Sequence, residues 1–273
     1  MKAFLSMIRA NLKMTLRDRT CLFWLLLFPA VLIVVFGSLV GGNSDPKIPV
    51  GMVNSEATPV AVSTQDVQGK NINYVDFLVP GVLAMSIMNG AMVRLSAAFV
   101  AMRERGVLGR IKLTPFPLIS FITARVATQL LVALCHAAIL LGLAKLIFNL
   151  DIVGNLVEVA VFIFLGSLAF LAISFFVAGV SRKQEGATAL ARLISFPMLF
   201  LSGVFFPLDR SPVWLQDVAR ALPLTYLADG LRQVVVHGAS LASLWGDLLA
   251  LVLTAAVGIA LAVRLFRWEP KAS

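Results

Sequence analysis

The side chains that could do chemistry in this chain are few and widely separated. His136 and His237 lie far apart, and Cys21 and Cys135 show no metal-ligand spacing. The phosphate-loop pattern GxxxxGK followed by Ser or Thr does not occur, and no serine sits in a nucleophile-elbow motif. The sequence therefore predicts no catalytic site, no metal site, and no nucleotide or other cofactor bound by this chain.

The composition points to a membrane protein. Of 273 residues, 59% are hydrophobic and 14% are charged, whereas soluble domains carry about 25% charged residues. The net charge is +9, but the basic residues cluster at the ends of apolar runs and not on a soluble domain, so no nucleic-acid partner is expected. We predict an all-α polytopic membrane protein.

Six apolar runs are long enough to cross a hydrocarbon core, which takes about 20 helical residues. Most Lys and Arg residues fall on one side of the resulting arrangement, and the positive-inside rule assigns that side to the cytosol. Both termini are therefore predicted to be cytosolic. The predicted spans cover residues 21–42, 77–100, 119–148, 156–180, 187–206 and 244–266.

Three other segments complete the predicted organisation. Residues 1–20 place Lys and Arg on one helical stripe beside an apolar stripe, which favours an amphipathic helix in the membrane interface; an ordinary basic flank is the alternative. Residues 43–76 form a polar outer loop, and residues 207–243 contain apolar pieces too short to cross, which favours half-inserted outer helices. Residues 21–273 are predicted to form a single membrane domain.

A short basic stretch, residues 101–118, separates the second and third spans. It is too highly charged to be buried, so it is predicted to face the cytosol, with a short helix over 103–113 that Pro115 and Pro117 end. Between two spans, such a helix is a site at which a partner protein could bind and move the membrane domain.

The remaining polar residues in the spans leave other functions open. No Asp or Glu lies in the middle of a span, which disfavours a proton-coupled carrier. Arg94 either extends to the interface or lines a pathway, and His136 is either a packed hydrogen-bonding residue or a ligand. A self-powered carrier and an assembly factor without a transport role are the alternatives to a membrane unit driven by a partner.

Three segments resemble the permease subunits of type-2 ABC exporters: RERGVLGRIKLTPFPLISFITAR, FLVPGVLAMSI and SGVFFPLDRSPVWLQDVARALPLTYLADGLRQV. The size is similar to drug and antibiotic efflux permeases of the daunorubicin-resistance kind, and to lipo-oligosaccharide and polysaccharide exporters. The resemblance implies outward movement of a hydrophobic or amphipathic substrate across the cell membrane by alternating access. It also implies two copies of an ABC ATPase subunit, which hold ATP and Mg, and a second permease, expected to be a copy of this chain.

The resemblance also implies roles for particular residues. Gly37 and Gly41 form a GxxxG motif in the first span, which the family uses for dimer contacts; chance is the alternative. Four phenylalanines, Phe196, Phe200, Phe205 and Phe206, suit an apolar substrate path; packing or lipid contact is the alternative. The ATPase-coupling role falls on Arg103, Glu104, Arg105, Gly106, Leu108, Arg110, Thr114 and Pro115.

Overall fold

The computed structural model describes residues 2–17, 27–41, 74–112, 118–208 and 211–265, and within these ranges the chain forms helices and no strand. The all-helical prediction is confirmed for this part of the chain. In chain order the helices are α1 (Lys2–Arg17), α2 (Phe28–Gly41), α3 (Tyr74–Met88), α4 (Leu95–Glu104), α5 (Val107–Lys112), α6 (Leu118–Phe148), α7 (Leu156–Val180), α8 (Gln184–Leu201), α9 (Val213–Arg220), α10 (Pro223–His237) and α11 (Trp245–Leu265), with a π-helical segment (Asn89–Arg94) between α3 and α4.

Four stretches of helix in the described part are long and apolar enough to cross a membrane: Tyr74–Glu104, Ser120–Phe148, Leu156–Val180 and Trp245–Ala262. They correspond to the second, third, fourth and sixth predicted spans, so a membrane protein with several apolar helices is confirmed. The first and fifth predicted spans contain α2 and α8, of 14 and 18 residues. The total of six spans stays a prediction, as do the interfacial position of α1 and the depth of the 207–243 segment.

The fifth predicted span is too long at its end. We predicted it over 187–206, but α8 ends at Leu201 and the chain turns through Ser202 and Gly203. Gly203 has a φ of +69°, a left-handed conformation that suits glycine and stops the helix. The apolar run Val204 to Phe206 therefore belongs to a turn and not to the helix.

The helix formed by α3, the π segment and α4 lies at the centre of the bundle. Its apolar side chains are buried on nearly all sides, including Leu78, Leu83, Met88 and Met92. It packs against α2, α6, α7, α8 and α10. A helix that is apolar all round is expected to be buried all round, which explains its central place.

The two ends of the bundle differ in their contacts, and hydrogen bonds between distant residues mark one of them. At one end the turn before α7 meets α10, where Val153 N donates to Val235 O at 3.0 Å. At the same end Tyr74 Oη donates to Phe205 O at 3.0 Å. The other end carries α5 and the turn between α7 and α8, and we call it the basic end because Arg105, Arg110, Arg182 and Lys183 are exposed there.

The predicted outer segment, residues 207–243, contains the two short helices α9 and α10. Helix α10 begins with Pro223, ends at the left-handed Gly238, and at 15 residues spans about 22 Å, less than the ~30 Å of a hydrocarbon core. It packs most closely on α3 and α7. Glycines permit this approach, because a Cβ at Gly230 would overlap the Phe162 ring.

A substitution at Gly81 tests another close approach at the same end, that of α3 to the turn after α8. Gly81 lies inside α3, where alanine favours the helix, but a Cβ there would lie 2.6 Å from the backbone oxygen of Val204. We expect Gly81→Ala to lower the free energy of unfolding by about 1–3 kcal/mol, because a backbone carbonyl cannot move aside easily. The measurement is thermal unfolding in detergent. Gly186→Ala is the matched control, since nothing lies within 4 Å of its Cβ, and equal stability of both variants would contradict the packing.

Candidate functional site

The basic stretch after α4 forms a helical corner. Helix α4 ends at Glu104, the chain turns at Arg105 and Gly106, and α5 follows over Val107–Lys112. Gly106 has a φ of +67°, which ends the first helix and lets the second start in a new direction. The short helix predicted over 103–113 therefore exists but is shorter, because Arg103 and Glu104 belong to α4.

Arg103 points into the protein and not towards a partner. Its side chain is buried, with 8% of the residue exposed. Its guanidinium donates to Ala178 O at 3.1 Å and also to Ser181 O. These carbonyls lie at the end of α7, where helical geometry leaves oxygens without an internal donor and the helix dipole favours a cation. We call this pair of bonds the Arg103 clasp.

A second arginine ties another helix to the same place. Arg125 on α6 donates to Met102 Sδ at 3.4 Å, and its guanidinium lies 6.0 Å from the centre of the Phe121 ring. It is half-buried, so it does not belong to the solvated part of the predicted basic stretch. The end of α4 is thus joined to α7 through Arg103 and to α6 through Arg125.

The clasp places two charged turns next to each other on the protein surface. One turn follows α4, and the other joins α7 to α8, whose helix packs against α4. A Cβ at Gly106, Gly109 or Gly186 would meet nothing within 4 Å, so the surface is open. We call it the coupling surface; its exposed residues are Glu104, Arg105, Gly109, Arg110, Arg182, Lys183, Gln184 and Glu185.

The structure places the predicted coupling residues in three groups. Glu104, Arg105 and Arg110 are exposed on the coupling surface, and Gly106 forms its corner. Arg103 is buried behind the surface and holds it in place. The side chain of Leu108 and the whole of Thr114 and Pro115 lie outside the described residues.

The predicted path residues form an aromatic strip on the outside of the bundle. Phe196 and Phe200 are exposed on α8 with ring centres 5.0 Å apart, and Phe205 lies 6.3 Å beyond Phe200. The strip continues to Phe36 on α2, at 5.9 Å from Phe205, while Phe206 is exposed beside it. We call Phe36, Phe196, Phe200, Phe205 and Phe206 the aromatic strip. The surroundings of Gly37 and Gly41, also on α2, lie outside the described residues.

The two polar residues singled out inside the predicted spans, Arg94 and His136, both lie within the bundle. Arg94 donates to Gln129 Oε1 on α6 at 3.2 Å, and His136 is buried with 2% of its surface exposed. Arg94 is thus bonded within the bundle in this structure. In the part of the chain that the structure describes, no three His, Cys, Asp or Glu side chains lie close enough to hold a metal ion.

The sequence contained a signal for the Arg103 clasp that we missed. Phe99 is buried one helical turn before Arg103, and Met92 and Leu95 are buried on the turns before that. Arg103 therefore continues the buried face of the helix, at spacings of three or four residues. Arg105 does not, and it is exposed. The carbonyl partners on α7 are 75 and 78 residues away and have no signature in the sequence.

Removing the clasp is expected to destabilise the protein. Arg103→Ala leaves two carbonyls at the end of α7 without a donor, and it leaves an empty space behind the coupling surface. Each unsatisfied buried group lowers the free energy of unfolding by about 1–3 kcal/mol. We expect a lower midpoint of thermal unfolding in detergent. Arg105→Ala removes an equal charge from an exposed site two residues away and should leave the midpoint unchanged. Equal midpoints for the two variants would show that the clasp contributes no stability.

Comparison with known proteins identifies the family. The ABC-2 type transporter family matches residues 2–236. The chain is 27% identical over 198 residues to a probable multidrug ABC transporter permease, YbhR, of Escherichia coli, a match covering 72% of this chain and 54% of YbhR. It is also 27% identical over 114 residues to the linearmycin resistance permease protein LnrN of Bacillus subtilis, a match covering 42% of this chain and 30% of LnrN. It is 26% identical over 200 residues to nodulation protein J of Neorhizobium galegae, a match covering 73% of this chain and 74% of that protein.

The extent of these matches differs between relatives. This chain spans about half the length of YbhR and most of the length of nodulation protein J. The family match, in contrast, covers most of this chain, from α1 to the end of α10. ABC-2 membrane permeases lack an ATPase domain of their own and normally work with an ABC ATPase. The chain therefore belongs to the ABC-2 type transporter family, as a membrane permease.

Proposed function

We propose that this chain is the membrane-spanning subunit of an ATP-driven exporter, and that a separate ABC ATPase moves it by binding the coupling surface. The observation that carries the proposal is the Arg103 clasp. It joins an exposed charged surface to the ends of membrane helices through a buried side chain. The ATPase would hold ATP and Mg, since the sequence offers no phosphate loop of its own.

The mechanism follows from the way in which the end of α4 is tied. A push on the turn at Arg105 acts directly on α4, through Arg103 on α7, and through Met102 and Arg125 on α6. Three helices that are tied at one end move together, and closely packed interiors shift between discrete arrangements rather than deforming continuously. A small movement of the ATPase would thus change the arrangement of the membrane helices as a group, as alternating access requires.

The orientation that we propose puts the coupling surface in the cytosol. Arg105, Arg110, Arg182 and Lys183 are exposed at that end, and the positive-inside rule favours the cytosol for such a surface. Acidic residues with exposed side chains, among them Asp151 at the turn before α7, lie at the opposite end. In this arrangement six spans cross the cell membrane, both termini are cytosolic, residues 1–20 lie along the inner surface, and residues 43–76 and 207–243 face outward.

The aromatic strip and α2 are the proposed contact with a second permease. Phe196, Phe200 and Phe206 of the strip are exposed on a single protomer, and α2 carries Gly37 and Gly41, whose spacing permits close helix packing. A symmetric pair of copies would bring two strips together and enclose an apolar path between them. Lipid contact by the strip is the alternative. A homodimer served by two ATPase subunits is the assembly that we propose.

The substrate class that we propose is hydrophobic or amphipathic. The aromatic strip offers apolar surface and no carboxylate, and the relatives include proteins named for multidrug transport and for linearmycin resistance. A drug, an antibiotic or a lipid-linked compound fits this description.

Charge reversal on the coupling surface tests the proposal. We expect Arg105→Glu, and separately Leu108→Asp, to weaken binding of the ATPase about tenfold or more without unfolding the chain, because a charge of the wrong sign or a buried charge at a contact is costly. The measurement is the amount of ATP-binding protein, identified by mass spectrometry, that co-purifies with the gently extracted chain.

A charge reversal away from the coupling surface provides the control. Arg220 is exposed on α9, in a surface pair with Asp217 at 3.4 Å, and Arg220→Glu should leave co-purification unchanged. Undiminished co-purification of both coupling-surface variants would reject the coupling surface. Absence of any ATP-binding protein from the unsubstituted preparation, together with transport driven by a pH gradient alone, would reject the ATP-driven exporter.

A further inference from the structure

An apolar groove of about 660 Å³ lies on the side of α8 that faces α11. Its walls come from α7, α8 and α11, and the turn between α9 and α10 closes it at one end. The lining is apolar apart from Thr254, whose hydroxyl already donates to Ala250 O at 2.8 Å. Leu193 and Val257 on its edges are exposed. A volume of this size is typical of small-molecule sites, but nothing in the lining offers a polar anchor.

The open end of the groove is basic. Gly258 on α11 rests on Ala172 of α7, since a Cβ there would lie 2.7 Å from the Ala172 Cβ. Both helices run towards the basic end. Arg264 is six residues after Gly258, and Ala178 is six residues after Ala172, which is about 9 Å along each helix at 1.5 Å per residue. Arg264 therefore lies at the level of Ala178. Arg264 also follows Val257 by seven residues and therefore lies on the groove face of α11.

Two more cations lie at the same end of the bundle as Arg264. Arg182 and Lys183 follow the end of α7 by two and three residues, and both are exposed, as is Arg264. The acidic residue on the neighbouring first turn of α8 is Glu185, also exposed. Among the described residues, the turn between α7 and α8 and the end of α11 thus offer three exposed cations at the basic end, with Glu185 as the carboxylate nearest to them in sequence. We call Arg182, Lys183 and Arg264 the basic mouth.

We propose that the groove binds one acyl chain of an anionic phospholipid from the leaflet at the basic end, with the phosphate at the basic mouth. An acyl chain needs an apolar channel without polar anchors, which the groove supplies, and an anionic head needs cations at interface level, which the mouth supplies. The groove is separate from the aromatic strip, because Leu193 and Pro197 of α8 line it while Phe196 and Phe200 do not. The inference therefore holds whether or not the strip lines an export path. Arg182 and Lys183 also belong to the coupling surface, so the lipid test uses the chain without the ATPase.

Native mass spectrometry of the full chain, released from vesicles of phosphatidylglycerol and phosphatidylcholine in equal amounts, tests the proposal. We expect one tightly held phosphatidylglycerol per chain in excess over phosphatidylcholine. Replacing the basic mouth (Arg182→Gln, Lys183→Gln and Arg264→Gln together) should reduce that excess about tenfold, since each cation near the head attracts the anionic lipid. The charge control is Arg220→Gln on α9, which should retain the excess.

A second pair of variants tests the groove itself. Val257→Trp fills the groove and should release the bound lipid, whereas Ile259→Trp, at a similarly exposed position on another face of α11, should retain it. Leu261→Gln places an amide in the groove and should also release the lipid, which keeps the test available if Val257→Trp does not fold. Equal retention of the two lipids by the unsubstituted chain, or full retention by the groove variants that fold, would overturn the proposal.

Discussion

The end of a helix leaves carbonyl groups without hydrogen-bond donors, and in this protein a buried arginine from another helix supplies the missing donors at the end of α7. The free energy of burying a guanidinium is unfavourable unless its N–H groups are bonded. Arg103 meets that requirement with the carbonyls of Ala178 and Ser181, which themselves need donors. Each group therefore removes the cost of burying the other. Because the bond joins two helices at the basic end, it fixes where the charged turns stand relative to the bundle.

The opposite end is organised by a different constraint, the close approach of backbones. Helix α10 is too short to cross a membrane, yet it is buried against α3 and α7. Glycines at positions 81, 166 and 230 leave room for a backbone oxygen, a leucine and a phenylalanine of neighbouring segments. Arg232 adds a polar contact there, donating to Gly203 O at 3.3 Å with its guanidinium 3.7 Å from the centre of the Phe77 ring. The two ends therefore differ: backbones and side chains pack closely at one end, and exposed charged residues lie at the other.

The sequence predicts the parts of this fold that depend on local composition. The span over 156–180 agrees with α7 at both ends, because a polar turn flanks each side of one uninterrupted apolar run. The predicted end of the fifth span was wrong, because an apolar run continues past Gly203 although the backbone there cannot remain helical. The burial of Arg103 follows the periodicity of α4, but its carbonyl partners and the contact of α10 with α3 are distant in sequence, and the periodicity of one chain does not specify them. For the candidate site, charge pattern and resemblance predicted where a coupling surface would lie, and the packed helices show which carbonyls hold one of the predicted residues inward.

We propose that the Arg103 clasp makes the end of α4 and the turn before α8 move as one body. A pair of spin labels at Glu104→Cys and Gly186→Cys, in a chain with Cys21 and Cys135 replaced by serine, measures the distance between these two exposed sites in the assembled transporter. We expect one narrow distance distribution that is the same with and without nucleotide, and a broad distribution once Arg103→Ala is added. A distance that changes with nucleotide in the chain that keeps Arg103, or that stays narrow without Arg103, would contradict the account.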